Sequence, residues 1–200
     1  MSEGPFTRHD LDTLADCVGE AWSAAGARDW SVPAGTLEWS CAKTADHAVD
    51  AVLAVGFFLA SRRQDGYPEW EWSVPTTAQA GRTEQAGEAI ATVAHVVSAV
   101  IGAAPPGARA VIWRRPRIEV RGPEDFPARA GLELILHGHD VCAGLGVPLR
   151  PPQAEIARLV GHSRGWPHWS SPGWRPVPEL APGDDPWAAL LVAAGRVPSG

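Results

Sequence analysis

The sequence predicts an all-α fold, with four long helices arranged as a bundle and a small helical extension after it. Four long segments carry helical signals, either apolar residues at three- and four-residue steps or long runs without proline, and only one short segment is apolar and extended. A chain of 200 residues can also bury a full core without disulfides or metals to hold it together. We therefore expect one domain, with the bundle at residues 1–150 and the extension at residues 151–200 packed on it.

Glycine, proline and capping residues predict where these helices end. Gly26 ends the first helix, Thr76 or Thr77 can cap the third, and Gly144 with Gly146 closes the fourth. The long helices are therefore expected at about residues 8–25, 37–63, 76–102 and 124–145.

The remaining segments are shorter. Residues 110–113 are expected to form a short extended crossover, too isolated to imply a sheet. After Pro148 we expect a short helix near residues 153–160. A last helix is expected over residues 184–195, capped by Asp184 or Asp185.

Charge and cysteine content exclude several classes of function. The chain has 17 Lys and Arg against 23 Asp and Glu, a net charge of -6, without a basic block, which argues against nucleic-acid or anionic-membrane partners. The N-terminus lacks the pattern of a signal peptide, and no run of 18 apolar residues occurs, so we expect a cytoplasmic protein. The three widely spaced cysteines form no CxxC pair and are expected to be reduced and buried.

The fourth predicted helix carries a constellation of side chains that could do chemistry. Glu133 and His137 are four residues apart and share one face, and Asp140 lies one turn further along it. Such groups in a segment rich in Leu and Ile are costly unless they are satisfied. Three interpretations remain open: a Glu–His hydrogen bond at a half-exposed edge, two metal ligands, or a general acid–base pair. His139 points to another surface of the helix.

A catalytic metal site would need a third protein ligand from another helix. His47, near the start of the second helix, and His95, in the third, qualify by position. His47 heads a row of small residues that would let a neighbouring helix or a ligand approach closely. Nothing chemical singles out His95, which is better explained as a structural histidine.

Together these features resemble the DinB superfamily, and within it the branch of the mycothiol-dependent maleylpyruvate isomerase. The resemblance rests on His47, on the spacing of Glu133 and His137, on the following His139-Asp140, and on the ending from Gly183 to Pro198. It covers most of the chain, although each motif is short. It implies a four-helix bundle that binds a divalent metal, in the first place zinc, through His47, Glu133 and His137.

The resemblance also implies an activity. A divalent metal would favour the thiolate form of a low-molecular-weight thiol, mycothiol, which would attack an electrophilic small molecule. The outcome would be S-transfer or isomerisation. The isomerase carries a separate C-terminal domain that these 200 residues do not contain, which counts against isomerisation in particular. Asp46, Asp50 and Asp140 are candidates for orienting the histidines, or are solvated helix residues.

Aromatic and arginine-rich loops leave further alternatives. Trp166 and Trp169, with Trp70 and Trp72 in another loop, could line a pocket for a flat or sugar-bearing ligand, but we favour their role as anchors of irregular loops. The arginines between residues 114 and 121 could bind an anion, but a solvated face is favoured. A non-catalytic small-molecule binding protein and a water-activating metallohydrolase remain as alternative functions. The chain could also assemble as a homodimer.

Overall fold

The computed structural model describes residues 4–68, 78–79 and 81–198 of the chain. Within these residues the fold is mostly helical, as the sequence predicts. The helices are α1 (Arg8–Ala24), α2 (Cys41–Ser61), α3 (Ala86–Ala103), α4 (Phe126–Leu145), α5 (Gln153–Ser163) and α6 (Pro186–Ala193), and the strands are β1 (Ala110–Trp113) and β2 (Glu119–Arg121).

The four long helices share one core. α1 and α2 each pack against both α3 and α4, and a single hydrophobic cluster extends from Phe6 to Ala194. Glycine allows the closest approach: a Cβ atom on Gly87 of α3 would collide with the backbone carbonyl of Gly19 on α1. α4 packs against α2, which places the face of α4 that carries His137 next to His47.

Several helix ends differ from those expected. α2 begins at Cys41 and not near residue 37, because Pro33 and Ser40 pair as an isolated β-bridge and the Ser40 hydroxyl then caps the helix. α3 begins at Ala86, after a 3₁₀ turn at Thr83–Gln85. The expected caps Thr76 and Thr77, like Trp70 and Trp72, lie outside the described residues. α5 runs further than expected, and Asp185 caps a shorter α6.

The extended segment after α3 is not isolated, so the expectation of no sheet was wrong. β1 pairs with β2 in an antiparallel two-stranded sheet, with Ala110 opposite Arg121 and Val111 opposite Val120. β2 is half-buried along its whole length and shows no alternation of buried and exposed residues, the pattern by which a strand is found in sequence. The sheet places Trp113 over α4.

The C-terminal part packs on the long helices through α5, which contacts α1, α4 and α6.

Two helical stretches of the described chain, Cys41–Ser61 and Thr83–Ala103, are long and apolar enough to cross a membrane by length and composition. Helices that pass this test include the buried core helices of soluble proteins, and half of the first stretch is buried here.

The cysteines are free thiols. Cys41 and Cys142 are buried as expected, and burial raises their pKa values to about 11 and about 12. Cys17 is only half-buried, so the expectation that it is buried was wrong. Its thiol faces the backbone carbonyl of Arg150.

Candidate functional site

α2 and α4 bring together the three side chains that the sequence proposes as metal ligands. The ring centroids of His47 and His137 are 5.1 Å apart, with the ring planes at 77°. His137 Nε2 lies 3.3 Å from Glu133 Oε2, one helical turn away on α4. The third member of the predicted set therefore reaches the Glu–His pair from a different helix.

The cluster is buried on one side and open on the other. Glu133 and His137 are half-buried between α4 and its neighbours, whereas His47 is exposed. The Trp39 ring packs edge-on against His47, at 5.2 Å between centroids, and the Lys43 ammonium lies 4.2 Å from the centre of the Trp39 ring. A small molecule can therefore approach the cluster from the side of His47.

Asp140 lies behind His137, as the sequence suggested. Its Oδ2 atom is 3.6 Å from His137 Nδ1, and both carboxylate oxygens accept hydrogen bonds from Arg196, at 2.9 and 2.7 Å. Metal-binding histidines commonly face a carboxylate with the ring nitrogen that does not bind the metal. Asp140 thus faces Nδ1 of His137 beyond hydrogen-bond distance, and the opposite ring nitrogen, Nε2, points towards Glu133.

Arg129 is a member of this site that the sequence analysis missed. Its guanidinium forms an ion pair with Glu133 and lies 3.7 Å from the centre of the Trp113 ring. Arg129 precedes Glu133 by four residues, the spacing at which oppositely charged side chains meet on a helix, so a local signal existed. It places a fixed positive charge at the inner wall of the cluster.

The electrostatics of the cluster follow from these contacts. Burial works to raise the pKa of Glu133, but the Arg129 charge and the hydrogen bond from His137 outweigh it, and the pKa lies far below its usual value. Burial works to lower the pKa of His137, but Asp140 and Glu133 raise it to about 9. Although His47 is exposed on its outer side, partial desolvation of its ring and the neighbouring His137 lower its pKa. At neutral pH the cluster therefore holds a carboxylate, an imidazolium and a neutral imidazole.

The donor set suits a divalent metal, with a condition. Two imidazoles and one carboxylate are ordinary ligands of zinc, and neutral His47 has the protonation state that a ligand needs. Among the described residues, however, no three His, Cys, Asp or Glu side chains already have their donor atoms gathered as a metal site requires. Glu133 is engaged by Arg129 and His137 carries a proton. Metal binding would have to displace that proton and loosen the ion pair.

The other candidates lie around this cluster in different roles. Both carboxylate oxygens of Asp46 accept backbone hydrogen bonds from the segment at residues 78–79, which ties that segment to α2. Asp50 is half-buried one turn after His47. His139 is buried against the edge of Trp187, on the other surface that was expected. His95, on the exposed surface of α3, pairs with Asp16 of α1.

Some of the tryptophans anchor the loop after α5, and others line a small cavity beside the cluster. Trp169 is buried and its indole N–H donates to the Ser163 carbonyl at 2.8 Å, and Trp166 is buried against Trp113. Both therefore anchor the loop, the interpretation favoured above. A small cavity of about 50 Å³ next to the cluster is lined by other residues, including Trp113, Arg129, Glu133, His137, Trp174 and Arg196.

Comparisons with known proteins give no further guide. No family model matches the chain, and neither a curated protein nor a solved structure matches it at a significant level. The interpretation of the site therefore rests on its own geometry and on the motifs in the sequence.

Proposed function

We propose that this chain is a metal-dependent enzyme that uses a low-molecular-weight thiol, mycothiol, as nucleophile or cosubstrate, on a four-helix bundle of the DinB kind. The observation that supports this proposal most is the meeting of His47 with Glu133 and His137 from a different helix. Two imidazoles and a carboxylate with a solvent-open side match a catalytic metal site in ligand type and number.

Each residue has a separate task in this proposal. His47 offers a neutral imidazole nitrogen, and Glu133 a carboxylate that stays ionised even when buried. Asp140, fixed by two hydrogen bonds from Arg196, supplies a negative charge 3.6 Å from Nδ1 of His137. A divalent metal, zinc in the first place, would supply positive charge that favours the thiolate form of a thiol. The thiolate would attack an electrophilic carbon of a small molecule. In S-transfer it would displace a leaving group; in isomerisation it would add to a double bond and be expelled again after rotation about the resulting single bond.

Metal content is the first test. Protein purified without a histidine tag should contain close to one zinc or other divalent ion per chain, measured by inductively coupled plasma mass spectrometry. His137→Ala should lose most of it, whereas His95→Ala, a matched change at an exposed helical histidine, should not. Metal-free wild-type protein with no affinity for added zinc would remove the proposal.

The thiol is the second test. In cobalt-substituted protein, added mycothiol should produce a near-ultraviolet charge-transfer band of sulfur bound to cobalt, and the oxidised disulfide form of mycothiol should not. Turnover of a substrate without any thiol would instead favour a metallohydrolase that activates water. Absence of both the band and any thiol-dependent turnover would contradict the thiol part of the proposal.

One observation favours a second candidate, a non-catalytic small-molecule binding protein. A cavity of about 700 Å³, lined in part by Trp113, His168 and Trp174, adjoins the site. In that case tryptophan fluorescence should show saturable binding of a compound that is recovered unchanged, and His47→Ala and His137→Ala should bind it as the wild type does.

Location and assembly complete the proposal. We propose a cytoplasmic protein without nucleic-acid or membrane partners, which could pair as a homodimer. Light scattering coupled to size-exclusion chromatography gives the assembly, and fractionation of the producing cells gives the location.

A further inference from the structure

The larger cavity shares two walls with the candidate site. Trp113 and Trp174 line both the cavity of about 700 Å³ and the small cavity of about 50 Å³ at Glu133 and His137. The larger cavity is the one that can hold a substrate, because 50 Å³ is little more than the volume of a water molecule or two. A molecule in the larger cavity would therefore sit beside the cluster, with the two tryptophans between them.

Buried polar atoms without partners lie in the wall of this cavity. His168 lines it and is only 3% exposed, yet neither of its ring nitrogens has a hydrogen-bond partner among the described residues. The buried indole nitrogen of Trp113 also lacks a partner there. Such groups are rare in native proteins because each costs free energy. Burial and the Arg129 charge lower the pKa of His168 to about 3, so its ring is neutral and brings no charge to the wall.

The rings of this wall are stacked so that one of them presents its edge. Arg129 lies 3.7 Å from the Trp113 ring centre, and the His168 ring is stacked 4.2 Å from it at 14°. Both groups cannot occupy one face, so Trp113 is covered on both faces, and only the edge of its ring is left to line the cavity. Aromatic edges are electropositive and pack favourably against the face of another ring.

The charged and polar lining adds positive potential. Arg115 lines the cavity, is exposed, and has no carboxylate partner among the described residues, whereas Arg117 and Arg121 both pair with Glu119. Ser170 and Ser171 add hydroxyl groups, and none of the described lining residues is acidic. The lining therefore combines donors, a free positive charge and ring edges.

We propose that this cavity binds a planar aromatic carboxylate, whether or not a metal is bound at the neighbouring cluster. The carboxylate is recognised by the Arg115 guanidinium and by the hydroxyl groups of Ser170 and Ser171. The flat ring of the ligand packs against the electropositive ring edges of the wall.

Isothermal titration calorimetry with 2-naphthoate as probe tests this inference. Wild-type protein should bind one equivalent, and at least tenfold more tightly than it binds neutral 2-naphthylmethanol or the saturated decahydro-2-naphthoate. Arg115→Gln should weaken 2-naphthoate binding about three- to fivefold, as for a partly exposed ion pair, and leave 2-naphthylmethanol unchanged. Arg150→Gln, the same change at an exposed arginine outside the cavity, should have no effect.

Replacing both Ser170 and Ser171 by alanine removes the two hydroxyl groups of the lining, so it should weaken 2-naphthoate binding about threefold. If that variant does not fold, Arg115→Gln still decides the question because its side chain is exposed. Absence of 2-naphthoate binding, or equal binding by wild type and Arg115→Gln, would overturn the inference. Equal binding of the neutral probe would overturn the carboxylate, and equal binding of the saturated probe would overturn the aromatic ring.

The two proposals can fail separately. If His47→Ala loses zinc but keeps 2-naphthoate binding, the cavity and the metal are confirmed as independent sites. If wild-type protein binds 2-naphthoate but never a metal, the proposed function fails and the cavity inference stands. Zinc binding without 2-naphthoate binding gives the opposite result.

Discussion

Replacement of Arg196 by leucine tests the buried anion behind His137. Asp140 is 3% exposed and Arg196 is 15% exposed, and two hydrogen bonds join them. Removing one partner of a buried ion pair costs about 3–5 kcal/mol, because the other charge stays buried without compensation. His137, protonated at pH 7 and 3.6 Å away, compensates in part. We therefore expect Arg196→Leu to lower the free energy of unfolding by about 3 kcal/mol, the low end of that range.

Urea unfolding followed by tryptophan fluorescence, with a chelator present so that no metal contributes, measures this value. Arg164→Leu is the matched control, because its pair with Glu179 is exposed (45% and 84%) and should contribute less than about 1 kcal/mol. Adding Asp140→Asn to Arg196→Leu should restore part of the loss, since no charge then stays buried. The reasoning is refuted if Arg196→Leu costs no more than Arg164→Leu, or if the second change deepens the loss.

Three further outcomes are expected. Burial works to raise the pKa of Asp10, but hydrogen bonds from Arg158 and Thr7 outweigh it, and the pKa lies below its usual value. The stability that this carboxylate contributes is therefore fully present above about pH 4 and is lost as the pH falls through the lowered pKa. The free energy of unfolding of Asp10→Asn should accordingly depend less on pH between about pH 6 and pH 2 than that of the wild type. An equal dependence would contradict this. Gly144→Ala drives a Cβ atom into the turn before α2 and should lower the free energy of unfolding, measured with a denaturant, by about 1–3 kcal/mol. The Cβ atom of Gly107→Ala faces open space, so this control should lower it by less than about 1 kcal/mol. Equal stability of the two variants would contradict this expectation, because it would show that the turn before α2 moves aside at no cost. Zinc binding at pH 7 should release about one proton, because the pKa of His137 is about 9 and the metal displaces the proton. Calorimetry in buffers of different ionisation enthalpy measures the number of protons released. Zinc binding without proton release would contradict the assigned protonation of His137.

The parts of the fold that the sequence predicts have local signals. α1 and α4 lie within two residues of their expected ends, because capping residues and glycines mark those ends. The start of α2 depends on a pairing between Pro33 and Ser40 across a turn, and β2 on pairing with a segment before it. Neither pairing leaves a pattern in the residues concerned, although Ser40 is a preferred cap residue and was a local signal for the start of α2.

The same distinction holds for the candidate site. The Glu133–His137 pair follows from a spacing of four, and Arg129 could have been found by the same rule. His47 was selected by position and resemblance, because nothing local links α2 to α4. Arg196 lies 56 residues from Asp140, and Trp113 reaches the site only through the sheet, so both were accessible only from the folded structure.

A crystal structure of untagged protein loaded with one equivalent of zinc, with anomalous diffraction recorded at the zinc edge, tests the central claim most directly. The account predicts one anomalous peak between α2 and α4, at about 2.0–2.2 Å from His47 and His137 nitrogens and a Glu133 oxygen. A zinc peak bound elsewhere, or no peak with Glu133 still paired to Arg129, would contradict it.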